Sequence, residues 1–337
     1  MSYTNGLDKP TDYFNTKLYT GTGANQSITG VGHQPDLVWI KDRTNTNNHV
    51  LTDSVRGVEK VLLSNANNLE DTYTDGLTAF NSDGFSLGDD DDGQMNVSGN
   101  ACVSWNWKKS TTSGFDIVLY TGNASGSARA ISHSLGATPG FMLTKNRTGT
   151  QVTGTDKWVA FNKSFVAGDY IHLDLTAAKL NSSGYWGGTL PTSSNFYVGG
   201  TSANVHNESG IDYVAYLWAE KKGYSKFGSY TGNGSSDGSY IHLGFKPAWV
   251  MTRRTDTTEN WAIFDNKRDG FNVNNRILLA NVTDAENTTA TYLDLLSNGF
   301  KARATSGALN ASGGTYIYMA FAESPFVTST GIPTTAR

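Results

Sequence analysis

Four consecutive carboxylates, Asp89, Asp90, Asp91 and Asp92 in "SLGDDDDGQMN", form the strongest charge run in the chain. Beside a glycine they would suit a hard cation such as Ca²⁺, which takes six to eight oxygen ligands. The spacing is neither that of an EF-hand nor that of a nonapeptide calcium repeat, so a solvated hairpin tip is the competing reading. A second candidate is "SSGYWGGTLP" (182–191), where Tyr185 and Trp186 stand among glycines. Flat side chains hold sugar rings by stacking, so this pair reads as a glycan platform, as a contact for a partner chain, or as a loop folded back onto its own domain.

Other chemistry is weakly represented. The histidines (33, 49, 133, 172, 206, 242) form no close pair suited to zinc, and Cys102 is the single thiol. No Gly-X-Ser-X-Gly falls on a strand-to-helix turn, and Gly21, Gly23 and Gly30 precede no helix that could hold phosphate. Glycoside hydrolysis needs two carboxyl groups a few ångströms apart, which the scattered Asp and Glu residues do not supply by spacing. The expectation is a protein that is not an enzyme and needs no cofactor, Ca²⁺ being the one candidate ion.

The elements that would position these residues are spelled three times. Tyr-Thr-Gly begins at Tyr19, Tyr120 and Tyr230, followed each time by a turn, a short apolar stretch and a proline: "SITGVGHQP", "RAISHSLGATP", "SYIHLGFKP". The following strands align as "DLVWIKDR", "GFMLTKNR" and "AWVMTRRT", which puts Lys41, Lys145 and Arg253 in register. Alternating with apolar neighbours, these cations are expected to cover a sheet edge with their stems and keep their charges wet, in a structural role. Further on, "HVLTD", "WVAFN" and "WAIFD" correspond, as do "VLLSN", the looser "IHLDL", and "ILLAN". Each copy closes on an alternating strand, "CVSWNWKK", "YVAYLWAEKK" or "YIYMAFAESP", with aromatics on one face, the pattern of a half-buried antiparallel strand. Around "SVRGVEKVLLSN" the spacing of Val55, Val58, Val61 and Leu62 also fits a helix, whereas the third copy, "GFNVNNRILLAN", favours a strand.

Each copy of roughly 100 residues contains seven or eight strand-like runs, which suits a two-sheet sandwich or jelly roll large enough to own a core and fold alone. The expected organisation is all-β: an N-terminal arm (1–16), three tandem antiparallel β-sandwich units in a row (17–113, 114–224, 225–325) and a C-terminal tail (326–337), with short polar joints between the units. Composition agrees. Glycine occurs 37 times, proline 7 times, and charged residues make up 17%, a mixture for short strands and tight turns. A net charge of −4 offers no basic field for nucleic acid. No run of about 18 apolar residues and no secretory leader is visible, so neither membrane insertion nor conventional secretion is expected. One cysteine fits synthesis in a reducing cytoplasm. The eleven Asn-X-Ser/Thr sequons are expected by chance in a chain this rich in Asn, Ser and Thr.

The phrases "KLYTGTGANQSITGVGHQPDLVWIKDR", "GFSLG" and "IYMAFAESPF" resemble a repeated domain of tailed-phage virion proteins, of the marine and cyanophage type, found singly or in tandem in tail-fibre-like and other surface products. The resemblance spans all three copies and rests on overall pattern. It implies a lectin-like or jelly-roll sandwich on the virion surface, made in the host cytoplasm, and it carries no site residues. The function it implies is receptor binding during host attachment, through host-surface polysaccharide touched by several weak loops together. The alternative is a capsid or tail decoration protein that binds other virion proteins; a polysaccharide depolymerase fits least. A homo-oligomer, a trimer, is compatible with either. The short arm, the tail or a sandwich face would anchor it.

Overall fold

The computed structural model describes residues 6–149, 156–200 and 206–334; the first five residues of the expected arm, the last three of the tail and part of the second unit's "GGTSANVHNESG" loop lie outside them. The protein is all-β. Among the described residues the only helical turns are two short 3₁₀ segments, Pro10–Asp12 and Tyr185–Gly188.

Each copy of the sequence pattern folds into a larger and a smaller antiparallel sheet packed face to face. In the first unit the larger sheet runs, in spatial order, Phe14–Thr20, Ala101–Trp107, Leu37–Asp42, His49–Asp53, Lys60–Leu63 and Asp71–Thr72. The smaller is Gln26–Thr29, Gly84–Leu87 and Leu77–Asn81. The other two units repeat this order, except that the larger sheet of the third stops at five strands and the smaller sheet of the second has two. The segment with two readings resolves as turn and strand: Val61 and Leu62 lie in Lys60–Leu63, while Val55 and Val58 sit exposed in the turns before it. A β-branched run beside a pairing edge is better satisfied by the ladder than by an isolated helical turn.

The Tyr-Thr-Gly phrase is a hairpin lock. The hydroxyls of Tyr19, Tyr120 and Tyr230 donate to the carbonyls of Met95, His206 and Leu309 at 2.7, 3.0 and 2.9 Å. The next residue along in each acceptor segment, Asn96, Asn207 or Asn310, is fully buried and accepts the backbone N–H of Thr22, Asn123 or Asn233 through its Oδ1. A side chain at Gly21, Gly122 or Gly232 would overlap the carbonyl oxygen of Val97, Glu208 or Ala311. Only glycine admits this approach. These asparagines open a recurring Asn-X-Ser-Gly, so three sequons are spent on turn closure.

The larger sheets are not half-buried. The face alternating with the aromatics is the interior of each sandwich; in the first unit Val38, Ile40 and Val50 meet Ile28, Phe85 and Leu87 there. The aromatic face is covered by the other units. Trp107 lies 6.1 Å from Trp218, 5.6 Å from Trp249 and 5.7 Å from Phe321, ring centre to ring centre. One continuous apolar cluster draws on all three units. The units therefore close on one another around a shared core instead of standing in a row. Phe14, in the first strand, stacks on Phe321 in the last at 5.1 Å, and Ser329 of the tail binds Asp8 of the arm.

The three seams repeat one set of bonds. At the first, unit two gives Tyr216 OH to Asp53 (2.7 Å) and Trp158 Nε1 to the Leu63 carbonyl (2.8 Å). At the next, unit one gives Trp105 Nε1 to Asp265 (3.1 Å), while His49, in the place of Trp158, makes no hydrogen bond through its Nε2 among the described residues. At the last, unit three gives Trp261 Nε1 to the His172 carbonyl (2.9 Å). Met319 holds the place of Trp105 and Tyr216 there and cannot donate, so Asn162 Nδ2 reaches back to the Tyr318 carbonyl instead (3.4 Å).

A unit that must bury both faces of its larger sheet has no soluble monomeric state of its own. We expect the isolated second unit, residues 114–224, to aggregate or self-associate, whereas the intact chain unfolds in one cooperative transition. Sedimentation and denaturant melts of both would check this, and a folded monomeric fragment would contradict it.

Candidate functional site

Tyr185 and Trp186 do not form an exposed platform. Trp186 is 4% exposed and packs 6.0 Å from Phe161, while Tyr185 stacks on Tyr170 at 3.6 Å. The second unit's smaller sheet has two strands, Arg129–Ser132 and Asn195–Val198, where the others have three. The Tyr185–Gly188 turn packs against Asn195–Val198 and fills the vacant place with the indole. Trp186, Gly187 and Gly188 take φ of 55°, 57° and 61°, so the glycines serve the left-handed turn that tucks the tryptophan in. The folded-back loop is the reading the structure selects. Trp186→Ala should destabilise the chain by about 3–5 kcal/mol, the cost of emptying a buried tryptophan site, and leave any surface binding of the folded protein unchanged; denaturant titration beside a binding assay would check both.

The Asp89–Asp92 run does not converge on an ion. Asp90 is 5% exposed, and its Oδ2 accepts the backbone N–H groups of Met95 and Asn96 at 2.7 and 2.6 Å. Burial raises its pKa, with those N–H groups opposing the shift. Asp91 donates its backbone N–H to Asp75. No group of three or more His, Cys, Asp or Glu residues suited to a metal exists among the described residues. The run closes the turn that sets up Asn96 for the hairpin lock.

Lys41, Lys145 and Arg253 correct the expectation of wet charges: all three are fully buried at the seams. Lys41 Nζ donates to the Thr283 carbonyl at 3.0 Å, Lys145 Nζ to that of Asn67 at 3.2 Å, and Arg253 Nη2 to that of Ala177 at 2.6 Å, each acceptor in a neighbouring unit. Burial lowers both lysines to about 8 and Arg253 to about 10, against the pull of nearby carboxylates. Two residues on, Arg43 makes a bidentate pair with Glu286 (2.7 and 3.0 Å) and Arg147 one with Glu70 (2.8 and 3.0 Å), again across seams. Arg268 and Arg56, bound to Asp265 and Asp53 of their own units, complete these networks. In the second unit the same places hold Phe165 and Lys179, whose Nζ lies 5.5 Å from the Phe165 ring and pairs with Asp169. These titratable groups hold the ring shut and face no ligand space.

Glu286 gives this a pH signature. Burial opposes its ionisation, yet Arg43, Arg268 and Arg276 hold it down at about 2. Between that value and the ordinary carboxyl range the unfolded chain binds the extra proton, so the pair's contribution is whole above about pH 4.5 and is lost as pH falls towards 2. Glu286→Gln should cost about 3 kcal/mol at pH 7, and the gap to wild type should close across that acid window in denaturant melts.

The molecule has two unlike ends. At one, both described termini, the joints between units and the turns after Asp53, Asn162 and Asp265 come together, leaving Val166 63% and Phe271 85% exposed. A cavity of about 600 Å³ opens there between Lys226, His242, Leu243 and Phe326. At the other lie the Tyr-Thr-Gly locks and the polar loops that differ between units, with a cavity of about 330 Å³ in the third unit. Sequence reading missed this second cavity because its walls come from five separated stretches of the chain. The signal that was present is the Asn-X-Ser-Gly motif, which aligns the loops and exposes where they differ.

The family description "Domain of unknown function (DUF7483)" matches residues 9–325 as one continuous span covering all three units. No curated protein matches the chain.

Proposed function

The chain belongs to the DUF7483 family, a domain of unknown function, and from that premise we propose that it is a surface protein of a tailed-phage virion that acts by binding host-surface polysaccharide. The observation that carries this reading is the polarity of a closed, rigid ring. One end gathers the two described ends of the chain and exposed apolar side chains, as an anchoring face would, and the other presents three related but unlike sets of polar loops. Three loop sets on one rigid body give multivalent contact without flexible linkers, so several weak contacts add up to firm attachment. With Asp90 and Trp186 buried and Tyr185 stacked on Tyr170, those loops are the surface for recognition. Val166 and Phe271 mark the face on which other virion proteins would seat.

The labelled chain should adsorb to host cells and lose adsorption when surface polysaccharide is stripped with periodate. Phe271→Ser should weaken binding to virion components and leave adsorption intact. Binding to virions with no adsorption to cells would overturn the adhesive role and leave decoration as the function.

A further inference from the structure

We infer that the cavity between Glu259 and Tyr292 in the third unit is a binding site for a neutral saccharide of one or two rings. The inference rests on the adhesive reading above and gives it a location. Its volume, about 330 Å³, falls at the small end of ligand pockets, which run from about 300 to 1,000 Å³.

The lining has the two kinds of surface that a sugar ring presents. Ile277, Leu279 and the half-buried ring of Tyr292 give an apolar wall for a C–H face. Glu259, Asp284 and Asn260 give acceptors and an amide for hydroxyls. No lysine or arginine lines the cavity, and among the described residues neither carboxylate forms a salt bridge. Arg253 and Arg254 act on Glu259 and Lys41 on Asp284, but none of these cations lines the cavity, so the charged groups a ligand meets there are carboxylates, which disfavour a uronic or sialic acid and suit an uncharged sugar.

The first unit shows that this opening is not an automatic product of the fold. There Asn48 stands where Asn260 stands in the third, and each is tied to the equivalent asparagine, Asn65 or Asn281, at 2.8 Å. In the first unit Gln94 plugs the space, its Oε1 accepting from Asn48 N at 2.9 Å and Asn48 Nδ2 at 3.1 Å. Counting back from the locking asparagines, Asn96 and Asn310, the residue in the place of Gln94 is Ala308, which reaches nothing comparable. The N–H of Asn260 goes instead to Glu259 Oε1 at 3.0 Å. Gly307 leaves room for the other carboxylate oxygen, since an added Cβ would overlap Glu259 Oε2. The plug is gone and a carboxylate faces the space.

The walls are fixed in advance. Asp284 lies between Thr283, whose carbonyl takes Lys41, and Glu286, which takes Arg43 and Arg276, so the seam with the first unit holds this loop in place. A preformed wall lowers the ordering cost of binding a small, weak ligand.

The test uses the full chain with glucose, galactose, N-acetylglucosamine and lactose as probes and galacturonate as the charged comparator, read by saturation-transfer NMR and titration. At least one neutral sugar should bind saturably and galacturonate should not. Ala308→Gln, which restores the plug of the first unit, and Glu259→Gln should each weaken binding at least tenfold with thermal unfolding unchanged, while Gln94→Ala should not weaken it. If no neutral sugar binds, or if both third-unit variants bind as wild type, the site assignment is overturned, and persistent cell adsorption would show that the adhesive reading survives it. Sugar binding that the two variants abolish, in a chain that never adsorbs to cells, supports the site and sinks the adhesive reading instead.

Discussion

A sheet that carries Trp105 and Trp107, or Tyr216 and Trp218, or Met319 and Phe321 on its outer face cannot leave that face in water. Each such face is an apolar patch of the kind that drives association. The surfaces that cover it are those of the other two copies, so each unit covers its neighbours and the last meets the first. Ring closure follows from that, and so do the juxtaposition of Phe14 with Phe321 and the gathering of both described termini at one end. The shared core then excludes water from the seams, which raises the cost of any unpaired polar group there. The repeated cross-seam bonds answer that cost.

How those bonds tolerate difference is informative. The seam roles are physical and admit more than one residue: an acid accepts from an indole at one seam and from a phenol at another, and where Met319 offers no donor the direction reverses through Asn162. Two units use an Arg–Glu bridge supported by a second Arg, whereas the remaining seam has Lys179 over the face of Phe165. In each case the cation finds a carboxylate, and the partly exposed Lys179 also finds the negative face of a ring. Lys41, Lys145 and Arg253 do the same with carbonyl oxygens, and because each reaches out of its own unit, their recurrence reads correctly only as a property of the assembly.

Much of the fold was legible in the residues. The period-two strands, the turn glycines and the threefold recurrence of Tyr-Thr-Gly followed from local sterics and alternation, which act within a few residues. The strands of "CVSWNWKK" and its relatives were read as half-buried because alternation reports that two faces differ, not that both are covered. The polar residues of the inner face, Ser104 and Asn106, look solvent-facing in sequence and are buried inside the sandwich. The candidate sites fared worse for the same reason. A run of aspartates and a Tyr-Trp pair among glycines advertise themselves locally, while Glu259, Ile277, Asp284 and Tyr292 are ordinary residues that acquire meaning by meeting.

What the sequence by itself determined was the set of strands and the turn glycines between them, since these depend on side-chain alternation and local backbone sterics. Tertiary structure alone decided which face of each sheet met which neighbour, that the buried cations answer another unit's carbonyls, that Trp186 replaces a missing strand, and that one loop opens where its counterpart is plugged. Those outcomes depend on contacts between residues as far apart as Trp105 and Asp265, and burial is settled only when such distant surfaces exclude water together.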